Sequence, residues 1–217
     1  MSINIKFTDG SEIEAGTIFC IGQNYSKHIA EMGSEKSNEP VIFIKPKQAI
    51  TYPYTTIELP DFSKNIHYEV ELVLLIGEDC DNISPNEANY YIAGYGVGID
   101  LTARDIQSKA KQEGKPWATA KSFRNSAPIS NFIPKDRITN KNFEIKLYVN
   151  DILKQFGNTI EMERSIEELV AYISKIFGLR KGDLIFTGTP EGVGQVKSGD
   201  KVTAELVNYT KFDIFIK

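Results

Sequence analysis

Cysteine is nearly missing from this sequence: Cys20 and Cys80 are the only two in 217 residues. They stand far apart in unlike contexts, which fits buried thiols and argues against a disulfide framework. A dense basic run is missing too. The 25 Lys and Arg residues are spread along the chain against 29 Asp and Glu, for a net charge of -4. Nucleic-acid binders concentrate positive charge on a stripe or tail, so nucleic acid is not an expected partner. No apolar stretch approaches the length of a membrane span. Residues 1–16 are polar with isolated apolar positions, unlike a signal peptide or an Arg-rich transit peptide. The expected address is the cytoplasm, away from membranes.

Several catalytic signatures are also absent. There is no Gly-x-Ser-x-Gly elbow and no His-Glu-x-x-His helix. Gly94, Gly96 and Gly98 imitate a dinucleotide fingerprint, but Ile99 occupies the position of its third glycine. Thr187-Gly188-Thr189-Pro190 lacks the Gly-Lys-Ser/Thr ending of a phosphate loop.

What remains is an ordinary globular composition, 41% hydrophobic and 25% charged. Asn4 to Phe7, Asp9-Gly10 and Ser11 to Ala15 read as a hairpin, giving an N-terminal extension over 1–16 ahead of a catalytic domain over 17–217. Strands are expected at Thr17–Ile21, Val41–Ile44, Tyr68–Gly77 and Tyr95–Leu101, and again at Asp183–Phe186, Lys201–Leu206 and Lys211–Ile216. Lys146 to Gln155 reads as a hairpin turning at Asn150-Asp151. Short helices are expected from Tyr25 to Glu31 and from Ala103 to Gln112. Ser84-Pro85-Asn86-Glu87 and Ser165-Ile166-Glu167-Glu168 are capping boxes, each opening a helix, and the second helix stops at Gly178. The sum is an α+β domain.

Glu69 and Glu71 stand two apart on a predicted strand and so share a face. Two adjacent carboxylates repel each other unless a cation lies between them, although the pair alone would also suit a solvated strand face. Asp100 ends the apolar strand Val97-Gly98-Ile99 and is placed to complete a three-carboxylate site. An all-oxygen set suits Mg²⁺ or Mn²⁺ better than zinc. His67 shares the Glu69 face and is either a fourth ligand or a structural group. His28 and Glu31, three apart on a short helix, form either a surface pair or a base with its orienting carboxylate. Arg104 and Gln107 have the same spacing and could bind a carboxylate if Asp100 lies close. Lys121 alone carries no signal beyond its charge.

Together these segments resemble the fumarylacetoacetate hydrolase family, and in particular its short acylpyruvase members. The resemblance runs from about Ile18 to the C-terminus. It rests on Gly22-Gln23-Asn24-Tyr25 with His28 and Glu31, on Glu39-Pro40-Val41 with Lys45-Pro46, and on His67-Tyr68-Glu69-Val70-Glu71-Leu72. Asp100-Leu101-Thr102-Ala103-Arg104-Asp105-Ile106-Gln107, Lys115-Pro116-Trp117, Ala120-Lys121-Ser122-Phe123 and Thr187-Gly188-Thr189-Pro190 continue it. The resemblance implies a mixed β-roll or sandwich with peripheral helices, usually a homodimer. It implies Mg²⁺ or Mn²⁺ on Glu69, Glu71 and Asp100, catalysis by His28, Glu31 and Lys121, and substrate contacts from Gln23, Asn24, Arg104, Gln107 and Thr189. The family often has Arg where this chain has Gln23, which bears on the choice of acyl group. The implied substrate is a small 2-oxo acid. Hydrolysis of an acylpyruvate C–C bond comes first, with His28 and Glu31 activating water. Decarboxylation or tautomerisation of oxaloacetate, or isomerisation of a 2-hydroxy-dienoate, is the alternative. A silent metabolite-binding module is the third reading, and it would have no need of all these residues.

Overall fold

In the computed structural model, which describes residues 2–33 and 35–217, the strand Val70–Ile76 is buried along its whole length. A strand buried on both faces must run through the middle of a covered sheet, and this one does. It pairs with Ile92–Ile99 on one side and Leu184–Phe186 on the other. Ile133–Pro134, Ile18–Gly22 and Val41–Lys45 complete a six-stranded mixed sheet, parallel only between Leu184–Phe186 and Ile18–Gly22.

Each face of that sheet has its own core. On one face Leu72, Leu74 and Val97 share a core with Leu147, Ala204 and Ile214. The last three belong to a second, five-stranded sheet built from Glu144–Val149, Ile152–Asn158, Lys201–Leu206, Thr210–Ile216 and Thr56–Ile57. On the other face Val73, Leu75, Leu184 and Phe186 pack with Ile5, Phe7 and Ala15 from the N-terminal hairpin. That hairpin pairs Asn4–Lys6 with Glu12–Glu14. A buried Leu or Ile contributes roughly 1.5–3 kcal/mol, so the hairpin's apolar residues tie it to the sheet. The result is an α+β sandwich with peripheral helices.

Local signals form as the sequence predicts. The helix Ile166–Phe177 opens with a capping box in which Glu168 accepts from the Ser165 N–H at 2.7 Å, and it ends at Gly178 with φ 68°. Its apolar face, Ile166, Leu169, Val170 and Ile173, enters the inter-sheet core. The hairpin turn has Asn150 and Asp151 both at positive φ, as a type I′ turn requires. The helix expected after Ser84 is shorter: one 3₁₀ turn, Pro85–Glu87, runs into Ala88–Tyr91 before Ile92 joins the sheet. Gly94, Gly96 and Gly98 serve packing. A Cβ at Gly98 would stand 2.7 Å from the Phe186 ring, and one at Gly96 would stand 3.1 Å from Phe132.

One expected strand divides. Tyr68–Gly77 is not continuous but breaks at Glu69. Ile66–Tyr68 leaves for a small sheet with Thr102–Ala103 and Gly194–Gln195, while Val70–Ile76 stays in the large one. At the break the Glu69 carbonyl accepts from the Asp100 N–H at 2.8 Å, and the Val70 N–H donates to the Gln155 side chain at 3.0 Å.

Candidate metal centre and active site

The break at Glu69 brings the acidic residues together. Val70 pairs with Ile99 and Glu71 with Gly98 across the two strands, so Asp100 emerges beside Glu69 at their common end. One carboxylate oxygen from each of Glu69, Glu71 and Asp100 lies within 4.8 Å of the others. All three side chains are buried, and all three line one cavity.

Three cations surround this cluster. Lys121 Nζ lies 2.7 Å from Glu69, 2.6 Å from Asp100 and 2.6 Å from the Thr102 hydroxyl. Arg104 pairs with Glu69 through one nitrogen and donates to Gln107 at 2.7 Å through another. Lys45 approaches from behind, 2.9 Å from Asp100, with both side chains fully buried.

The charges set the protonation of the cluster. Burial works against a charged Glu69, but Lys121 and Arg104 hold its carboxyl well below the usual carboxylate range. Burial pushes Glu71 the other way, well above that range, and repulsion from Asp100 and Glu69 adds to it. One carboxylate therefore retains its proton most firmly until a further cation arrives. Burial also opposes the Lys121 ammonium, yet Asp100 and Glu69 outweigh it and raise its pKa.

These residues fit a hard divalent ion. The donors are carboxylates at mutual distances that one ion can span. Asp100 Oδ1 is buried and, among the described residues, accepts no hydrogen bond, although Lys45 Nζ lies 2.9 Å from it as an ion-pair partner. His67 stands outside the cluster. Its Nε2 lies 2.9 Å from the Asn65 side chain, and burial, with help from Arg104, lowers its pKa.

His28 and Glu31 also meet. Nδ1 of the imidazole lies 3.0 Å from Glu31, whose other oxygen accepts from the Gly192 N–H at 3.0 Å. His28, Gln23, Arg104, Gln107, Lys121 and Thr189 all line the cavity that holds the acidic cluster. Asn24 does not. Its amide donates to the Thr187 and Arg164 carbonyls at 2.8 and 3.2 Å and accepts from the Arg164 N–H at 3.0 Å. Those bonds leave it engaged in the fold, where the sequence resemblance implies a substrate contact.

Two further contributions come from outside the expected site residues. The glycine-rich loop presents its amides to the protein's own carboxylates, with Gly188 N–H on Glu71 at 2.7 Å and Gly192 N–H on Glu31. Buried Gln155 joins the second sheet to the site by donating to Thr189 and to the Pro190 carbonyl, both at 2.9 Å. Trp117, Phe43 and Lys111 form further parts of the cavity wall.

Known proteins share this architecture. Over 188 residues the chain is 45% identical to "Oxaloacetate tautomerase YcgM" of Escherichia coli strain K12, covering 86% of each chain. It is 43% identical over 190 residues to the bovine "Oxaloacetate tautomerase FAHD1, mitochondrial", covering 87% of this chain and 86% of that one. The crystal structure of fumarylpyruvate hydrolase from Pseudomonas aeruginosa with Mn²⁺ and pyruvate superposes with a TM-score of 0.95 at 32% identity, over 99% of this chain and 95% of that one. The model of the fumarylacetoacetate (FAA) hydrolase C-terminal domain matches residues 17–213. On fold, sequence and family match alike, this chain belongs to the fumarylacetoacetate hydrolase family.

Proposed function

We propose that this chain is a divalent-metal-dependent enzyme that interconverts the keto and enol forms of oxaloacetate. The observation that carries the reading is the buried Glu69–Glu71–Asp100 cluster opening into the same cavity as His28 and Lys121. The oxaloacetate tautomerases at 43% and 45% identity give the substrate its support.

A divalent ion held by Glu69, Glu71 and Asp100 would supply Lewis-acid polarisation of a 2-oxo group. The chain's own residues supply the rest. Glu31 engages Nδ1 of His28, which fixes the ring and leaves Nε2 free to take the proton from substrate C3. As the electron pair moves onto the 2-oxo oxygen, the Lys121 ammonium would give that oxygen a proton, completing the enol and leaving a neutral amine that takes the proton back on ketonisation. Arg104 Nε is a buried donor with no partner among the described residues, suited to the substrate's C1 carboxylate, with Gln107 and Thr189 lining the same cavity. Ketonisation is the reverse: His28 returns the proton to C3.

Hydrolysis of an acylpyruvate is the second reading, supported by the likeness to fumarylpyruvate hydrolase. There His28 would activate a water rather than remove a carbon-bound proton. A homodimer remains part of the proposal, to be checked by solution mass.

The deciding experiment follows oxaloacetate by proton NMR in D₂O, with Mn²⁺ or Mg²⁺ and with EDTA, alongside pyruvate release from acetylpyruvate. Metal-dependent exchange at C3 faster than pyruvate release supports the tautomerase. Pyruvate release from acetylpyruvate without C3 exchange on oxaloacetate would replace it with the hydrolase. Full activity after metal removal, or in Glu69→Ala, would sink both.

A further inference from the structure

Arg104, Gln107 and Lys111 follow one another at spacings of three and four on the helix Arg104–Gln112, so one helical face brings all three to the cavity. The first two are engaged: Arg104 with Glu69 and Gln107, and Gln107 with Arg104. Lys111 differs. Among the described residues it has no carboxylate partner, and its ammonium stands 5.1 Å from the centroid of the Trp117 ring.

The charges within the site explain why this lysine matters. The cluster's other cations are all engaged: Arg104 and Lys121 pair with Glu69, and Lys121 and Lys45 with Asp100. His28 is paired with Glu31, and Gln23 is neutral. Lys111 is thus the cation of the cavity wall that has no carboxylate partner among the described residues. It is exposed at the mouth, yet the protein crowds its ammonium enough that desolvation leads the causes lowering its pKa, followed by repulsion from Arg104 and Lys121. An anion placed there relieves that repulsion and gains a charge-assisted hydrogen bond. The Trp117 face holds the ammonium without neutralising it.

We propose that Lys111 is a specificity residue that binds the distal carboxylate of a 2-oxo dicarboxylic acid whose 2-oxo end lies at Glu69, Glu71 and Asp100. The inference rests on the reading of this cavity as a 2-oxo acid site. It favours substrates with a second carboxylate over 2-oxo acids with an uncharged tail.

Trp117 is the only tryptophan in the chain, so its emission reports occupancy of the mouth directly. The experiment titrates Mn²⁺-loaded protein with malate and with lactate, 2-hydroxy acids that differ in whether a distal carboxylate is present. The wild type is expected to bind malate about tenfold tighter, the lower end for one charge-assisted bond. Lys111→Met should weaken malate to the level of lactate and leave lactate unchanged, while Lys111→Arg keeps the preference. Equal weakening of both ligands would show general attraction of anions and overturn the proposal, as would unchanged malate binding in Lys111→Met. Oxaloacetate and acetylpyruvate turnover, measured alongside, separates this from the reaction assignment. If neither is turned over but the malate preference depends on Lys111, the proposed reaction fails and the carboxylate subsite stands.

Discussion

Lys45 and Asp100 form an ion pair with no exposed surface on either side chain, Nζ to Oδ1 2.9 Å. Lys45 also donates to the Ser126 hydroxyl at 2.8 Å, to the Ser126 carbonyl at 3.1 Å and to the Lys121 carbonyl. One ammonium thus fixes a carboxylate of the acidic cluster and the backbone of the lysine facing it. Removing one partner of a buried pair costs about 3–5 kcal/mol, because a charge is left uncompensated. Lys121 still faces Asp100 at 2.6 Å, so Lys45→Met should lower unfolding stability in urea titrations by less than that range. Adding Asp100→Asn should recover part of the loss, since it removes a carboxylate left with one cation in place of two. A double variant with the two single losses simply summed would show that the residues do not act as a pair.

Glu71 yields a pH prediction whose sign differs from that of its neighbour. Its folded pKa lies above the unfolded value, raised by burial, then by Asp100 and Glu69. Between those two values the native state holds a proton that the unfolded state has lost. Metal-free stability therefore falls as pH rises through that window, at a limiting slope of about 1.4 kcal/mol per pH unit. Glu69, depressed by Lys121 and Arg104, contributes stability that is lost only as pH falls. Glu71→Gln should remove the alkaline-side decline and make the metal-free protein more stable than wild type at pH 8. Mn²⁺ binding, followed by electron paramagnetic resonance, should tighten from pH 5.5 to pH 8 in the wild type because the ion displaces the Glu71 proton. A pH-independent affinity would contradict this account.

Local chemistry was legible in the sequence, and long-range geometry was not. The Ser165–Glu168 capping box and the Asn150-Asp151 turn are closed by neighbours along the chain, so residue types alone define them. The break at Glu69 depends on Asp100 and Gln155, 31 and 85 residues from their partners Glu69 and Val70, and no local pattern announces it. Lys45 follows an ordinary strand, and only the fold shows that its ammonium ends against Asp100. Lys111 was within reach: extending the Arg104–Gln107 spacing by one more helical step arrives at it. The His28–Glu31 contact matches its spacing, but the Gly192 amide that anchors Glu31 comes from 161 residues away.

Asn24 tests the difference between a residue that binds substrate and one that shapes the site. Its three hydrogen bonds to Thr187 and Arg164 are made in a setting only 1% exposed. Replacing it with alanine leaves buried backbone groups without partners, at a cost of about 1–3 kcal/mol for each group not rescued by water. Asn24→Ala should therefore lower the melting temperature by several degrees, and Asn24→Asp should do no better, because it keeps the acceptor for Arg164 N–H but sets a buried carboxylate oxygen against the Thr187 and Arg164 carbonyls. KM should rise equally for every substrate, because no contact to one in particular is removed. A KM effect confined to one substrate, at unchanged stability, would return Asn24 to the binding residues.

His28 separates the candidate reactions. Its Nδ1 is engaged by Glu31 and its ring lines the cavity, with the side chain 11% exposed. A general base contributes about 10²–10⁴-fold, so His28→Gln should lower kcat for C3 proton exchange by at least about 10²-fold. Mn²⁺ affinity should be unchanged, because His28 is not among the acidic ligands. Glu31→Gln keeps a hydrogen bond to the ring but removes the charge that stabilises imidazolium, so a smaller loss is expected. Decarboxylation of oxaloacetate requires no base at C3 and should survive His28→Gln largely intact. Loss of proton exchange and decarboxylation to the same extent would mean that His28 organises the cavity rather than moving the proton.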